Sequence, residues 1–394
     1  MENIVMHIDV NNAFLSWTAV DLLERGYKID IRNIESIIGG DESKRHGIVL
    51  AKSIVAKRKG VKTAETIRDA KRKCDDLQIF PPNYSLYVKK SNELFNLISK
   101  YTPDIEKLSI DECFIDYTKI RNLYGDPIKF AYRLKKEIKN TLGFTVNIGI
   151  ANNKLCAKMA SDFLKPDRVH TLFFYEIEKK MYPLPIEDLF GVGKSSSKRL
   201  RELHINTIGD LAHADYNLLY RYFKNQTTRL IESARGIDNG IINIKNKERE
   251  GISNSTTTSY NLNTLEAINK TLYPLVENVC ITLRKKDKYA YQVGVTLKDK
   301  NFKVYSHQKK LKNPTNKTDE VYNIAKQLIK ECWNEEGIRL VGVSLSKFTN
   351  ILNHQISIFD DLSRDKDDKE LDKTIDKLKE IYGKDIIKRA SQKY

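Results

Sequence analysis

The sequence predicts a multidomain α/β protein, and three observations carry that reading. At 394 residues the chain exceeds what one ordinary core organises, and it suggests roughly two to four compact units, since domains run to about 100–200 residues each. Strand and helix periodicities succeed one another as β-α-β within the first 166 positions, which implies a small mixed sheet with helices on one face. The composition, 40% hydrophobic and 30% charged, is that of a soluble globular chain most of which folds.

The elements follow in order. Ile4, Met6, Ile8 and Val10 alternate with Val5, His7 and Asp9, a strand pattern that sets Asp9 on the face opposite the aliphatics. Residues 11–77 are mostly helical in pattern, dotted with Lys and Arg, and read as an insertion after that strand. Strand signals return at Ser109–Asp116 and Thr145–Ile150, separated by a helical segment around 127–142. A further helix, Lys154 to Leu164, stops before Pro166. Residues 167–235 form a separate small helical unit with short turns, centred on Phe190-Gly191-Val192-Gly193-Lys194. The polar stretch 236–250 reads as a linker. Residues 251–350 hold strand runs at Tyr291–Leu297 and Leu340–Leu345 and helical runs near 264–284 and 319–333, a further α/β unit. After Phe359 the chain is charge-dense, and Leu371, Ile375, Leu378 and Tyr382 fall at helical spacing, which predicts a surface helix.

Charge narrows the partners. Lys and Arg number 68 against 52 Asp and Glu, a formal net charge of +16, which favours a polyanion such as nucleic acid or an anionic membrane surface. A Lys-rich solvated surface gives the same total, so charge alone does not decide. Residues 241–350 contain 19 Lys and Arg against 11 acids, half of the chain's excess. The five cysteines are scattered, without a CxxC pair or a His at zinc spacing, and read as reduced core residues of a cytosolic protein. No window approaches the roughly 18 apolar residues of a membrane span.

Asp111 and Glu112 are adjacent, and neighbours in a regular strand point to opposite faces, so both address one site only where the backbone bends. A hairpin tip does this, and with Asp9 from the first strand it gathers three carboxylates on one sheet. Such a cluster repels itself unless a hard cation neutralises it, and oxygen-only ligation favours magnesium or manganese. Two such ions about 3.5–4 Å apart serve phosphoryl transfer by activating the attacking hydroxyl and stabilising the leaving oxygen. Taken by themselves, Asp-Glu pairs are also common in turns and on solvated faces.

A set of motifs in one order resolves that choice. Asp9-Val10-Asn11-Asn12-Ala13-Phe14, Leu108-Ser109-Ile110-Asp111-Glu112, the block from Ile148-Gly149-Ile150 through Lys154-Leu155-Cys156-Ala157-Lys158 to Asp162, Leu164-Lys165-Pro166-Asp167 and Asp188-Leu189-Phe190-Gly191-Val192-Gly193-Lys194 together resemble the Y-family translesion DNA polymerases, on the bacterial branch of polymerase IV and the polymerase V catalytic subunit. The resemblance implies a right-hand plan: a palm from 1–10 and 78–166, fingers from 11–77, a helical thumb with a helix-hairpin-helix from 167–235, a linker at 236–250, an α/β little finger from 251–350, and a clamp-binding peptide with a charged helical tail from 351–394. The implied activity is template-directed, low-fidelity DNA synthesis past damaged bases without proofreading, in the bacterial cytoplasm at the nucleoid. Implied partners are primer-template DNA, deoxynucleoside triphosphates, a sliding clamp and in some members a recombinase filament, with no membrane.

By the same resemblance Asp9, Asp111 and Glu112 are catalytic and hold two Mg2+ ions, or Mn2+, with the Val10 carbonyl as a further ligand. Phe14 falls at the steric gate, whose ring leaves no room for a 2′-hydroxyl. Ala13 departs from the second aromatic usual beside it. Lys57 and Lys165 match the basic positions that reach the triphosphate, whereas Ile54 replaces a Tyr and removes one expected hydrogen bond to phosphate. Gly191-Val192-Gly193-Lys194-Ser195 fails as a Walker A loop, because Asp188 stands where that motif needs its first Gly. It fits instead a helix-hairpin-helix turn, with Gly191, Gly193 and Lys194 offered to a DNA phosphate. In the little finger, residues 281–310 hold nine Lys and Arg, Arg284, Lys285 and Lys286 among them, against two acids, a pattern that suits tracking of a DNA backbone. The tyrosines there read as core or strand-face residues rather than base stackers. Gln355-Ile356-Ser357-Ile358-Phe359 resembles the sliding-clamp peptide, with Gln355, Ile358 and Phe359 as its anchors. The alternative is a catalytically idle DNA-binding repair factor of the same fold. A nucleotidyl cyclase shares the carboxylate logic but has no use for the thumb glycines or the basic little finger.

Overall fold

The computed structural model describes residues 3–41, 47–242, 250–350, 362–383 and 386–387. These divide into two compact units, one of residues 3–40 and 47–242 and the other of Asp41 with residues 250–350, 362–383 and 386–387.

The first unit holds strands β1 (Val5–Val10), β2 (Ser36–Gly39), β3 (Val49–Lys52), β4 (Gln78–Phe80), β5 (Ile105–Lys107), β6 (Glu112–Asp116), β7 (Val146–Ala151) and β8 (Val169–Leu172). Its main sheet has the order β5-β6-β1-β7-β8, with β1 central and antiparallel to both β6 and β7. Helices cover both faces, not the one expected. On the first, Met6, Ile8 and Val10 pack with residues of the Ala13–Glu24, Tyr84–Ser99 and Pro127–Leu142 helices. On the second, Val5 and Phe114 share a core with the Lys154–Asp162 helix and with the helices between Ile177 and Ala234. The sequence pattern understates this second face because its apolar neighbours arrive from more than 140 residues downstream.

The local causes are explicit. The Pro127–Leu142 helix begins with Asp126 accepting from Lys129 N, has Pro127 in its first turn, and ends on Gly143 at φ 75°. The Lys154–Asp162 helix is capped by Asn153, which accepts from Cys156 N. It lies so close to β7 that a Cβ on Gly149 would stand 2.0 Å from Ala157 O. The 11–77 region is less helical than its pattern suggests, because β3, β2 and β4 form a small sheet, while Ala13, Trp17 and Val20 belong to the main core. The beginning of the expected linker is anchored: Asn153 Nδ2 donates to Gly236 O at 2.7 Å and Leu155 N to Asp238 Oδ2 at 3.1 Å.

The second unit holds β9 (Gly251–Leu262), β10 (Tyr289–Asp299), β11 (Val304–Thr315) and β12 (Ile338–Thr349) in the order β11-β10-β12-β9. The Leu265–Arg284 and Thr318–Cys332 helices cover one face with a continuous apolar core. Along the other face small residues pair in register: Ser253 with Ser344, Ser344 with Gly294, Ser255 with Gly342 and Gly342 with Thr296. The sequence reading missed β9 and β11, whose polar composition hides their period.

The tail forms a helix, Leu362–Tyr382, whose apolar residues are divided, Ile375 and Leu378 being half-buried. Leu371 and Tyr382 are exposed, whereas Asp372 and Lys379 are buried. Arg284 Nη1 meets Asp372 Oδ2 at 3.0 Å and Arg284 Nε meets Asp376 Oδ2 at 2.6 Å. Asp372 Oδ2 also accepts from Thr318 N at 3.1 Å, supplying the N-terminal cap that Lys317 cannot give. No helix among the described residues is long and apolar enough to cross a membrane.

Candidate active site

The site grows from the pairing of β1 with β6. Asp9 and Glu112 are direct cross-strand partners, so period-2 geometry puts their side chains on one face. At the tip of the β5–β6 hairpin Leu108 N and Ser109 N both donate to Glu112 O, at 3.1 and 3.3 Å. This is the bend that two adjacent acids require. Asp111 O accepts from Val10 N at 3.0 Å, tying the tip to the end of β1, and the Asp111 carboxylate accepts from Ser109 Oγ at 2.5 Å.

The ligand atoms of His7, Asp9 and Glu112 lie within 4.8 Å of one another, and Asp111 is not one of that group, although it feels the charges of Asp9 and Glu112. His7 is buried, with Nε2 3.2 Å from Glu112 Oε2 and Nδ1 2.8 Å from Ser161 Oγ. Two ammonium groups reach the same carboxylates. Lys158 Nζ lies 2.6 Å from Glu112 Oε2 and 3.4 Å from Asp9 Oδ2. Lys165 Nζ lies 3.0 Å from Asp9 Oδ2 and 2.8 Å from Asp162 Oδ1.

Burial raises the Glu112 carboxyl, but hydrogen bonds from His7 and Lys158 overcome it and hold the group down to about 2. Burial raises Asp111, and the charges of Asp9 and Glu112 add to the rise against the Ser109 hydrogen bond. Burial lowers His7, against the pull of Glu112 and Asp9. Burial also works against the charge on Lys165, yet Asp9 and Asp162 raise it above the ordinary lysine value. A cluster of carboxylates whose charges push one of their number upward, and whose oxygens already attract two ammonium groups, is a site for positive charge. Its hard oxygen donors fit a divalent cation of the magnesium or manganese class.

Phe14 follows a sharp turn. Asn12 adopts φ 55°, an αL conformation that Asn tolerates, and its side chain donates to Lys52 O. The turn starts the Ala13–Glu24 helix and lays the Phe14 ring flat on Tyr87, centroids 4.6 Å apart and planes 14° apart. Tyr87 is fully buried, with its hydroxyl 3.2 Å from Thr18 Oγ1, so the Phe14 ring rests on a fixed support.

The other expected residues divide. Lys57 is exposed on the short Ile54–Arg58 helix. Beside it stands Lys52, lowered first by burial and then by the Lys57 charge, with its Nζ donating to Thr63 Oγ1 at 2.7 Å. Ile54 is exposed. Gly191 adopts φ 94°, a conformation that requires Gly, and added Cβ atoms at Gly191 and Gly193 would meet open space. Gly193 leads into the Lys194–Glu202 helix with no side-chain cap, leaving its first N–H groups facing outward. Lys285 pairs with Glu380 of the tail at 2.9 Å, and Lys286 is exposed.

Arg284 is a correction to the DNA-binding set. Its guanidinium is spent on Asp372, Asp376, Asn316 O and Thr318 Oγ1, so in this arrangement it fastens the tail helix rather than facing a phosphate. Gln355, Ile358 and Phe359 lie outside the described residues.

Sequence reasoning missed His7, Lys52, Tyr87 and Lys158. For Lys158 a signal existed: a lysine on the same helical face as buried Leu155, Met159 and Asp162's neighbour Ser161 needs an acid in front of it. For Tyr87 there was none, since nothing local marks which core ring will meet Phe14.

Comparisons with known proteins agree along the chain. The impB/mucB/samB family model matches residues 8–162, that family's C-terminal domain matches 249–358, and the IMS family HHH motif matches 176–205. A DNA polymerase IV of Clostridium acetobutylicum is 46% identical over 391 residues, 99% of this chain and 98% of the relative. A DNA polymerase IV of Alkaliphilus oremlandii is 35% identical over 402 residues, 99% of each. Among solved structures, a Y-family DNA polymerase chimera superposes with a TM-score of 0.75 at 24% identity, over 89% of this chain and 100% of its own, a likeness of fold.

Proposed function

Because this chain belongs to the impB/mucB/samB family of Y-family translesion DNA polymerases, we propose that it extends a primer by template-directed DNA synthesis past damaged bases, with Asp9, Asp111 and Glu112 as its catalytic carboxylates. The observation that carries the site assignment is the cross-strand pairing of Asp9 with Glu112 beside the bent tip that presents Asp111.

Asp9, Asp111, Glu112 and the Val10 carbonyl would hold two divalent ions, magnesium in the first place. When bound, these supply a Lewis acid to the primer 3′-hydroxyl and to the phosphoryl oxygens, for in-line displacement of pyrophosphate from a deoxynucleoside triphosphate. The protein's part is positioning and charge. Lys165, with Lys57 and its neighbour Lys52, receives the triphosphate as point charges. Phe14 stands against the sugar and excludes a 2′-hydroxyl. His7 and Lys158 keep the Glu112 carboxylate ionised and oriented. Gly191, Gly193 and Lys194 hold a DNA phosphate at the thumb without reading its sequence. Lys286 and the exposed lysines of β11 track the duplex, and the 355–359 peptide docks on a sliding clamp.

Primer extension by the purified chain with magnesium and deoxynucleotides tests this reading. Extension that disappears in Asp111→Asn while duplex binding persists supports it. Tight DNA binding without any extension, clamp included, makes the chain an idle repair factor.

A further inference from the structure

The row of side chains that begins with Glu112 and Asp9 has a third member. Asn147 on β7 is the direct cross-strand partner of Asp9, on the other side from Glu112, and it is fully buried. An Asn side chain has two donor hydrogens and two acceptor lone pairs, and here all four are used. Nδ2 donates to Ser161 O at 3.0 Å and to Leu164 O at 2.8 Å. Oδ1 accepts from Arg168 N at 3.2 Å and from Asn11 Nδ2 at 3.0 Å. Asn11 continues the relay: its Oδ1 accepts from Asp167 N at 2.8 Å and from Thr145 Oγ1 at 3.0 Å.

Three of these bonds, to Leu164 O, Arg168 N and Asp167 N, grip the segment 164–168 from both ends. Lys165 lies in its middle, with its ammonium 3.0 Å from Asp9. The loop's main chain is thus fastened to the cross-strand partner of Asp9 and to the turn that follows β1, through amides that carry no charge of their own.

We propose that Asn147, seconded by Asn11, is a positioning residue that sets the Lys165 ammonium in register with Asp9, so that Lys165 meets the triphosphate preorganised. This rests on the reading of Lys165 as a triphosphate contact. A neutral amide suits the task because a carboxylate in that row would add to the Asp9 and Glu112 charges, and an apolar side chain would leave Leu164 O and Arg168 N without their partner. Small displacements of a charged contact are costly, so the relay acts through distance rather than by touching substrate.

The test uses the full chain on a primer-template whose primer ends in a dideoxynucleotide, so that nucleotide binding is read without chemistry. Equilibrium binding of the matched deoxynucleotide with magnesium is measured for wild type, Asn147→Leu, Asn11→Ala, Lys165→Ala and the Asn147→Leu/Lys165→Ala pair, alongside hydrogen exchange at the Asp167 and Arg168 amides. Asn147→Leu and Asn11→Ala are expected to speed exchange at those amides and to raise the nucleotide Kd by about tenfold to a hundredfold. On an extendable primer the insertion rate at saturating nucleotide should move much less than Kd. In the Lys165→Ala background the Asn147 effect should largely vanish. Multiplying effects of the two substitutions would overturn the proposal, as would faster exchange at Asp167 and Arg168 with Kd unchanged. Should Asn147→Leu fail to fold, Asn11→Ala, which keeps the bonds to Ser161 O and Leu164 O, decides the question by the same readings. A wild type that binds nucleotide but extends no primer refutes the polymerase reading and leaves this proposal standing, whereas one that binds no nucleotide refutes both.

Discussion

At the scale of single residues, the Phe14 ring and the acids beside it make separable predictions. Phe14 lies flat on buried Tyr87, so Phe14→Ala opens space without exposing an acid. We expect it to raise ribonucleotide insertion relative to deoxynucleotide by roughly tenfold or more, measured by single-nucleotide extension with each sugar. Asp111→Asn removes charge from the carboxylate cluster and should cut extension by at least about a hundredfold, with duplex affinity kept in a binding titration. A pH signature lies in Asp167: burial pushes its carboxyl up, but the Lys135 hydrogen bond and charge, with Lys139, hold it below the ordinary value. A depressed carboxyl contributes stability above the unfolded value near about pH 4, and that contribution is lost as pH falls through the lowered folded value. Asp167→Asn should therefore flatten the acid limb of a stability-against-pH curve measured by denaturant unfolding. How far these residues were legible in sequence depended on their reach. Asp9, Asp111, Glu112 and Phe14 sit in short motifs, and the bend they need is local. His7 and Lys158 act on Glu112 across separations of 105 and 46 residues, which no local pattern encodes.

Among the elements, the Lys154–Asp162 helix has the least room for change. Its backbone passes over Gly149 at a distance that a Cβ would reduce to 2.0 Å from Ala157 O and 2.5 Å from Ser161 N. Since backbone, unlike a flexible side chain, must move as a body, Gly149→Ala should cost about 3 kcal/mol or more of stability, read from urea unfolding. The tail helix makes the opposite case, held by charge instead of apolar packing. Arg284→Met leaves Asp372 and Asp376 facing each other without their cation, and breaking such a pair typically costs about 3–5 kcal/mol. The expected outcome is a lower urea midpoint for the isolated transition of residues that report on the Thr318–Cys332 helix. The sequence reading expected a surface helix in the tail, and a helix is there, but helical spacing counts apolar residues and is blind to a buried Arg waiting for an acid. Polar β9 and β11 escaped it for a related reason: their partners, not their own alternation, make them strands.

For the molecule as a whole, the +16 net charge makes duplex affinity a function of salt. Binding should weaken by about 10³-fold or more between ~50 and ~200 mM monovalent salt if six or more phosphates are neutralised, and Lys194→Ala and Lys286→Ala should each lower the slope of that dependence rather than alter sequence preference. The second unit adds a further restraint. On the face of its sheet opposite the helices, the short side chains of Ser253, Ser255, Gly294, Thr296, Gly342 and Ser344 form a low middle, and Gln292, Lys298, Gln308 and Lys310 of β10 and β11 stand beside it on the same face. Laid along a duplex, such a surface would let the sugar-phosphate rail settle close over its low middle, with the lysines at its margin supplying the charge.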